Sequence, residues 1–282
     1  IYDRNKHYYK LNGESIKRFN NGENGIYFVS PKAKGKIDYK EEREEIEIIG
    51  QIDKFKEQGN LFQQSLVNRT NFAHRTALTK EQQRKQMMLY LYSIPFKNIQ
   101  RGKPIVTMVG EKGSGKTITL KMIGKFFMGE DFSVKRLAGK KDFAVGVSNN
   151  MLYYLDNIDE PVDWLANELA NIATGAQISL RKLYKTLEEV SKKPKCFLGL
   201  TSRDPNFNRD DVVDRSLTFH VKRFQTNRSE NELHKPLENK EYSDIIWSEY
   251  MDDLNKILKE LEDFEFSNQT TKHRMRLGNT NK

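Results

Sequence analysis

The stretch that most restricts this chain is "GEKGSGKT", residues 110–117. It follows the short apolar run "PIVTMVG" and opens the segment "GKTITLKMIGKFFMG". The run predicts a strand, and the segment predicts an amphipathic helix closed by Gly129. A strand, a glycine-rich turn and a helix in that order aim backbone N–H groups and the positive helix end at one point, which suits phosphate oxygens. Gly110, Gly115, Lys116 and Thr117 complete the spacing of a phosphate cradle, with Lys112, Gly113 and Ser114 filling the loop. Lys116 would reach the β- and γ-phosphates of ATP, and Thr117 would offer its hydroxyl to Mg²⁺. An ordinary basic turn is the plainer alternative, and the correct flanks argue against it.

The rest of the chain fits around this unit. "FSVKRL", "NMLYYLDN", "KCFLGLTS" and "SLTFHV" read as further strands, and "DWLANELANIAT" as a helix ending at Gly175. Short strands alternating with helices predict an α/β fold, a parallel sheet flanked by helices. Upstream, "LTKEQQRKQMMLYLYSIPF" (78–96) predicts a helix with Thr79 as cap, Gln82 completing a capping box and Pro95 ending it. Near the N-terminus, "HYYKLNGESI" and "NGENGIYFVS" set aromatic and β-branched residues beside Asn-Gly pairs, a hairpin signal. Residues 37–50 are open between strand and charged helix, and 51–70 between polar helix and loop. In 243–264, Trp247, Tyr250, Met251, Leu254, Ile257, Leu258 and Leu261 recur at helical spacing. Three regions are expected: a small β-rich N-terminal region (1–75), a core with its preceding helix (76–223) and a helical C-terminal part with a polar tail (224–282).

Charge narrows the partners. The formal net charge is +9, with 31% charged residues, which favours a polyanionic partner, nucleic acid or an anionic membrane surface, with a merely soluble basic protein as the plainer alternative. Cys196 is the one cysteine, so no intrachain disulfide can form, as expected of a reducing cytoplasm. Its place in "CFLGL" predicts a buried structural thiol. No run approaches the roughly 20 apolar residues of a membrane span, so no membrane partner is expected. The opening "IYDRNKHYYK" does not read as a signal peptide, and the initial Ile suggests part of a longer protein.

A phosphate cradle also needs a metal partner and a group that activates water. "MLYYLDNIDEP" delivers Asp156 at a strand's C-terminal end, where sheets of this kind present ligand groups, as the expected Mg²⁺ group. The next residue is Asn157, where many such ATPases carry Glu, so Asp159 and Glu160 share the candidacy for base. Their plainer role is to cap the helix that follows Pro161. "KPKCFLGLTSRDPNF" ends its strand in Thr201, Ser202 and Arg203, polar groups able to sense a γ-phosphate or orient water. "NRDDVVDRS" puts Arg209 and Arg215 on either side of a short helical turn, as candidates to stabilise transition-state charge in a neighbouring subunit. A surface salt bridge to Asp210, Asp211 or Asp214 is the alternative.

Over about 100–223 the order "GEKGSGKT", "LYYLDNID", "GLTS", "DVVDRS" resembles AAA+ ATPases. "ATGAQISLRKLYKT" (173–186) lies where minichromosome-maintenance-type and superfamily 3 helicases carry a β-hairpin reaching into the ring channel. "LTSRDPNFNRDDVVDRSLTF" is similar to helicase-like ATPases of phages and mobile genetic elements, and the N-terminal segment looks like the one preceding the ATPase there. The resemblance implies a hexameric ring that hydrolyses ATP to move along DNA. It implies that Arg181, Lys182 and Lys185 touch DNA phosphates, and that Arg215 is the trans-acting arginine with Arg209 as runner-up. "HRMR" looks like the second sensor, which puts Arg274 on the nucleotide. A helicase loader or initiator switch, and a regulatory scaffold with slow hydrolysis, are the alternatives; Asn157 keeps the last one open. Read alone, "RKLYKTLEEVSKKPK" would instead be a plain amphipathic helix with a basic face.

Overall fold

The computed structural model describes residues 1, 7–28, 37–43, 59–98, 100, 102–181, 189–204, 209–224 and 237–263. The chain divides into two compact units. One comprises 1–70, 122–132 and 226–274; the other comprises 71–121, 133–225 and 275–282. Each is built around its own core.

In the first unit, β1 (His7–Leu11) and β2 (Ile16–Asn20) form an antiparallel hairpin, as the "LNGES" turn predicts. The second Asn-Gly segment adds no strand among the described residues; Glu23–Gly25 is a single tight helical turn. Helix α1 (Leu61–Gln63) continues as a wider turn, Gln64–Asn68. Of the two readings of 51–70, polar helix or loop, the described residues take the helix over 61–68, and it is largely buried. Leu61, Phe62, Leu66 and Val67 are buried, and so are Gln64, Ser65 and Asn68. The C-terminal helix, called α7 (Lys240–Asp263), supplies the apolar stripe. Trp247, Tyr250, Met251 and Leu254 are buried, but Ile257 and Leu258 are half-buried and Leu261 is exposed. Phe126 sits in the middle of this core, stacked on Trp247 at 4.2 Å and edge-on to Tyr250 at 5.5 Å, with Phe62 at 5.5 Å.

The second unit is the parallel sheet. Its strands in chain order are β3 (Ile105–Val109), β4 (Lys135–Arg136), β5 (Leu152–Asp156), β8 (Phe197–Ser202) and β9 (Ser216–His220). In space they run β4-β5-β8-β3-β9, every pair parallel. β3 and β8 are buried throughout, as unbroken apolar runs require when helices cover both faces. Helix α2 (Lys80–Ser93) covers one face: Tyr90 is edge-on to Phe197, and its hydroxyl lies 2.9 Å from that of Tyr154. Its predicted capping box forms in full between Thr79 and Gln82. On the other face, α4 (Lys140–Asn149) and α5 (Leu165–Thr174) bury Phe143, Val147, Leu165 and Leu169 against Leu155, Leu198 and Leu200. Helix α5 ends at Gly175, which takes φ 73°. Helix α3 (Lys116–Met128) follows the glycine-rich loop, and α6 (Asp210–Val213) is the short turn before β9. Between α5 and β8, strands β6 (Ile178–Arg181) and β7 (Glu189–Lys192) pair antiparallel as the two arms of a hairpin, so the described residues here are not a plain helix.

Cys196 is buried at the start of β8, where burial pushes its thiol far above the usual range and makes it inert. Among the described residues, no helix is long and apolar enough to cross a membrane. Phe126→Ala removes a fully buried ring from the first unit's core. It is expected to cost about 3–5 kcal/mol, read as a lowered midpoint in chemical denaturation.

Candidate active site

The site begins where β3 ends. Gly113 (φ 79°) and Gly115 (φ 85°) hold left-handed backbone that turns the loop back into α3. Gly110 is glycine for space: a Cβ there would lie 2.3 Å from the Val221 carbonyl oxygen. Within the loop the Ser114 hydroxyl is buried and has no hydrogen-bond partner among the described residues. Such a group costs about 1–3 kcal/mol unless something satisfies it, and an anionic guest with acceptor oxygens fits. Lys116 Nζ folds onto the loop, donating to the carbonyls of Gly110 at 2.5 Å and Glu111 at 2.9 Å. Burial lowers its ammonium below the usual lysine range and Arg203 adds to this, while Asp159 and, more weakly, Asp156 oppose it.

Asp156 ends β5 and gathers the two threonines. Thr117 Oγ1 and Thr201 Oγ1 both donate to its Oδ1, each at 2.6 Å. Thr201 Oγ1 in turn accepts from the Asn157 backbone N–H at 2.9 Å. Asn157 has φ 56°, a left-handed conformation that Asn tolerates better than most residues. The departure to Asn at this position therefore has a backbone reason.

Asp159 lies in the loop after β5 and meets the end of β8. It accepts from Ser202 Oγ at 2.9 Å, Arg203 N at 2.6 Å and Arg203 Nε at 2.8 Å. Burial alone would raise its carboxyl, but the bonds from the Arg203 backbone and side chain and from Ser202 outweigh that and hold it below the usual carboxylate range. Glu160 is exposed and makes no hydrogen bond or ion pair among the described residues. The structure thus brings together Thr117, Asp156, Thr201, Ser202 and Asp159, with Lys116 close by, and leaves Glu160 in solvent.

Beside the loop is a cavity of about 860 Å³. Gly110, Glu111, Lys112 and Arg203 line it, together with His74, Arg75, His220, Lys222 and Arg223. Five of these side chains are Arg or Lys against one Glu, so the space suits an anion of nucleotide size. The Nδ1 of His220 lies 3.2 Å from Arg75 Nη2. Burial and then the Arg75 charge lower the His220 pKa, which favours the neutral ring. Arg75, His220, Lys222 and Arg223 are absent from the sequence-based reading. The basic residues after "SLTFH" were the available signal, but they acquire meaning only once β9 is known to lie beside β3.

The remaining candidates lie elsewhere. Arg209 and Arg215 flank α6. Arg209 forms a two-pronged ion pair with Asp211 at 2.7 and 3.0 Å and also bonds Asn167. This is the surface salt bridge named above as its alternative. Arg215 donates to the Asp211 carbonyl. Arg181 ends β6. Lys182, Lys185 and Arg274 lie outside the described residues.

No family model and no curated protein matches the chain. Among solved structures it is similar to the apo NrS-1 C-terminal region, at 14% identity and TM-score 0.48, covering 91% of this chain and 58% of that one. It is also similar to the SCCmec type IV Cch active helicase, at 16% identity and TM-score 0.39, covering 63% of this chain and 35% of that one. A ligand-bound JCV helicase is a third, at 13% identity and TM-score 0.38, covering 64% and 58%. The chain thus spans only part of each of these proteins. With every TM-score below 0.5, these likenesses decide nothing about function; the chain's own side chains must.

The Asp159–Arg203 contact gives a pH prediction. The folded carboxyl titrates below its unfolded value, so its contribution to stability is complete above the ordinary carboxylate range. It is lost as pH falls through the folded pKa. The melting temperature of wild type should exceed that of Asp159→Asn at pH 7, and the gap should narrow as the pH is taken below the ordinary carboxylate range. Arg203→Ala should remove only part of this pH dependence, because the backbone N–H of residue 203 and the Ser202 hydroxyl still donate to the carboxylate.

Proposed function

We propose that the chain is an ATPase motor of the ring-helicase type, hydrolysing ATP with Mg²⁺ to move along DNA. One observation carries the ATPase part: the Asp156 carboxylate oxygen is shared by Thr117 of the glycine-rich loop and Thr201 of the central strand. Thr117 and Asp156 would hold Mg²⁺, which supplies charge neutralisation on the phosphates. Lys116 would move from the loop carbonyls onto the β- and γ-phosphates. The hydroxyls of Thr201 and Ser202 would orient the attacking water. Asp159 is the better-placed group to accept its proton, because it acts on Lys116 electrostatically while Glu160 stands in solvent. Accepting that proton requires Asp159 to part from Arg203, which would then face phosphate oxygens.

The DNA part rests on the family resemblance, the net charge of +9 and the β6–β7 hairpin that ends β6 on Arg181. Arg181, Lys182 and Lys185 would contact phosphates. For the trans-acting arginine, Arg215 is favoured over Arg209, whose guanidinium is already neutralised by Asp211. A hexamer would place Arg215 against a neighbour's nucleotide, and Arg274 would act as second sensor. A loader or nucleotide switch with slow hydrolysis is the second reading, favoured by the three bonds that hold Asp159 away from water.

Steady-state ATP hydrolysis with and without single-stranded DNA tests this. Lys116→Ala should weaken binding of a fluorescent ATP analogue by roughly 10- to 100-fold, as expected for losing a charge-assisted bond of about 1.5–3 kcal/mol. Asp159→Asn should spare binding and lower turnover by about 10²-fold or more. Glu160→Gln should change turnover little. DNA should stimulate hydrolysis, and Arg181→Ala/Lys182→Ala should abolish that stimulation. Hydrolysis indifferent to DNA would transfer the assignment to the switch.

A further inference from the structure

The nucleotide-facing groups occupy the C-terminal ends of the parallel strands. The opposite ends of β3 and β8 are basic. Lys103 lies just before β3, Lys193 and Lys195 just before β8, and Lys97 in the turn that follows α2. Lys195 Nζ donates to Asn98 Oδ1 at 2.9 Å, which joins the approach to β8 with the turn that carries Lys97. Lys103 is only 6% exposed. Its ammonium has only a weak bond to the Gln100 carbonyl at 3.4 Å, and lies 5.9 Å from the centre of the Phe197 ring.

Among the described residues, no carboxylate pairs with any of these four lysines. Burial lowers Lys97 below the usual lysine range, and Lys195 lowers it further. Burial does the same to Lys103, with Lys195, Lys193 and Lys97 adding to it and only the Cys196 thiol opposing. Like charges gathered this way repel one another, and a bound polyanion would relieve the repulsion. The chain supplies a direction for it. Strand β7 of the hairpin ends at Lys192, and the next residue is Lys193.

We propose that Lys97, Lys193 and Lys195, with the charge of the buried Lys103 behind them, form a second phosphate-backbone contact for single-stranded DNA, at the root of the β6–β7 hairpin and separate from the nucleotide cavity. It rests on the reading of the chain as a DNA motor and extends the strand's path beyond the hairpin. Lysines act on phosphate as point charges and read no base, so the contact is indifferent to sequence and sensitive to salt. For single strands each neutralised phosphate adds about 0.7 to the slope of log affinity against log salt.

The test is fluorescence anisotropy of a labelled oligo-dT with the full chain, over a series of salt concentrations. It compares wild type, Lys97→Ala/Lys193→Ala/Lys195→Ala and Arg181→Ala/Lys182→Ala. Buried Lys103 is left in place so that the core is not disturbed, and the exposed pair Lys193→Glu/Lys195→Glu serves as a second variant. Both lysine variants should bind the strand about tenfold or more weakly. The triple variant should lose about two from the salt slope, with binding of a fluorescent ATP analogue unchanged. Wild-type affinity and slope in the lysine variants, alongside loss in the hairpin variant, would overturn this contact and leave the motor reading standing. No oligo-dT binding by wild type would overturn both. Lysine variants that lose binding to phosphatidylserine vesicles but keep DNA affinity would reassign the cluster to a membrane surface.

Discussion

One carboxylate oxygen organises the candidate site. Asp156 Oδ1 accepts from Thr117 and Thr201 at 2.6 Å each, joining the start of α3, the end of β5 and the end of β8. The sheet makes this possible. β8 lies between β5 and β3, with Leu155 opposite Leu200 and Met108 opposite Thr201. That register sets Thr201 beside Asp156 and brings the Gly110 N–H to the Ser202 carbonyl at 3.2 Å. A slip of one residue would turn Thr201 to the other face and break the arrangement. The full burial of β3 and β8 holds the register, so the chemistry of the loop depends on apolar packing far from any phosphate.

Features set by local signals were legible in the sequence. The glycine-rich loop, the Thr79–Gln82 capping box, the Gly175 helix end and Asp156 at a strand terminus each depend on a few adjacent residues. Helix α4 was not legible. Its buried residues Phe143, Ala144 and Val147 make a stripe of one turn, and it contains Gly146. The reason for that glycine is tertiary: a Cβ there would lie 2.3 Å from the Tyr153 ring. The turn at 61–68 was illegible for the opposite reason, because Gln64, Ser65 and Asn68 are polar yet buried. The basic cavity wall could not be read either, since His74, Arg75, Lys222 and Arg223 meet only through the bridge of Phe72 to Val221 and the place of β9 beside β3.

Asn157 shows how the two kinds of information differ. As a sequence feature it is a missing acid, and it weakens the case for hydrolysis. In the structure it is the residue whose backbone turns through φ 56° so that its N–H meets Thr201 Oγ1 and Ile158 N meets the Thr201 carbonyl. The turn then returns Asp159 to the end of β8, against Ser202 and Arg203. A carboxylate is thus supplied three residues after Asp156 by the backbone path, and the residue at 157 serves that path.

Strand β8 also relates the two ends of the sheet. Its six residues span about 20 Å. Thr201 and Ser202 stand at one end, and Lys195 lies just before the other. A strand buried on both faces does not bend to carry a signal, so coupling between nucleotide and DNA would need parts with two arrangements. The Asp159–Arg203 pair would be one: the Arg203 side chain is largely exposed, so its release from the carboxylate would meet no packing barrier. The hairpin would be the other: among the described residues, β6 and β7 pair with each other and with no strand of the five-stranded sheet. On the proposed reading, a rigid strand with an exposed ion pair at one end and a separate hairpin at the other would turn a change of phosphate into a change of grip on a nucleic-acid backbone.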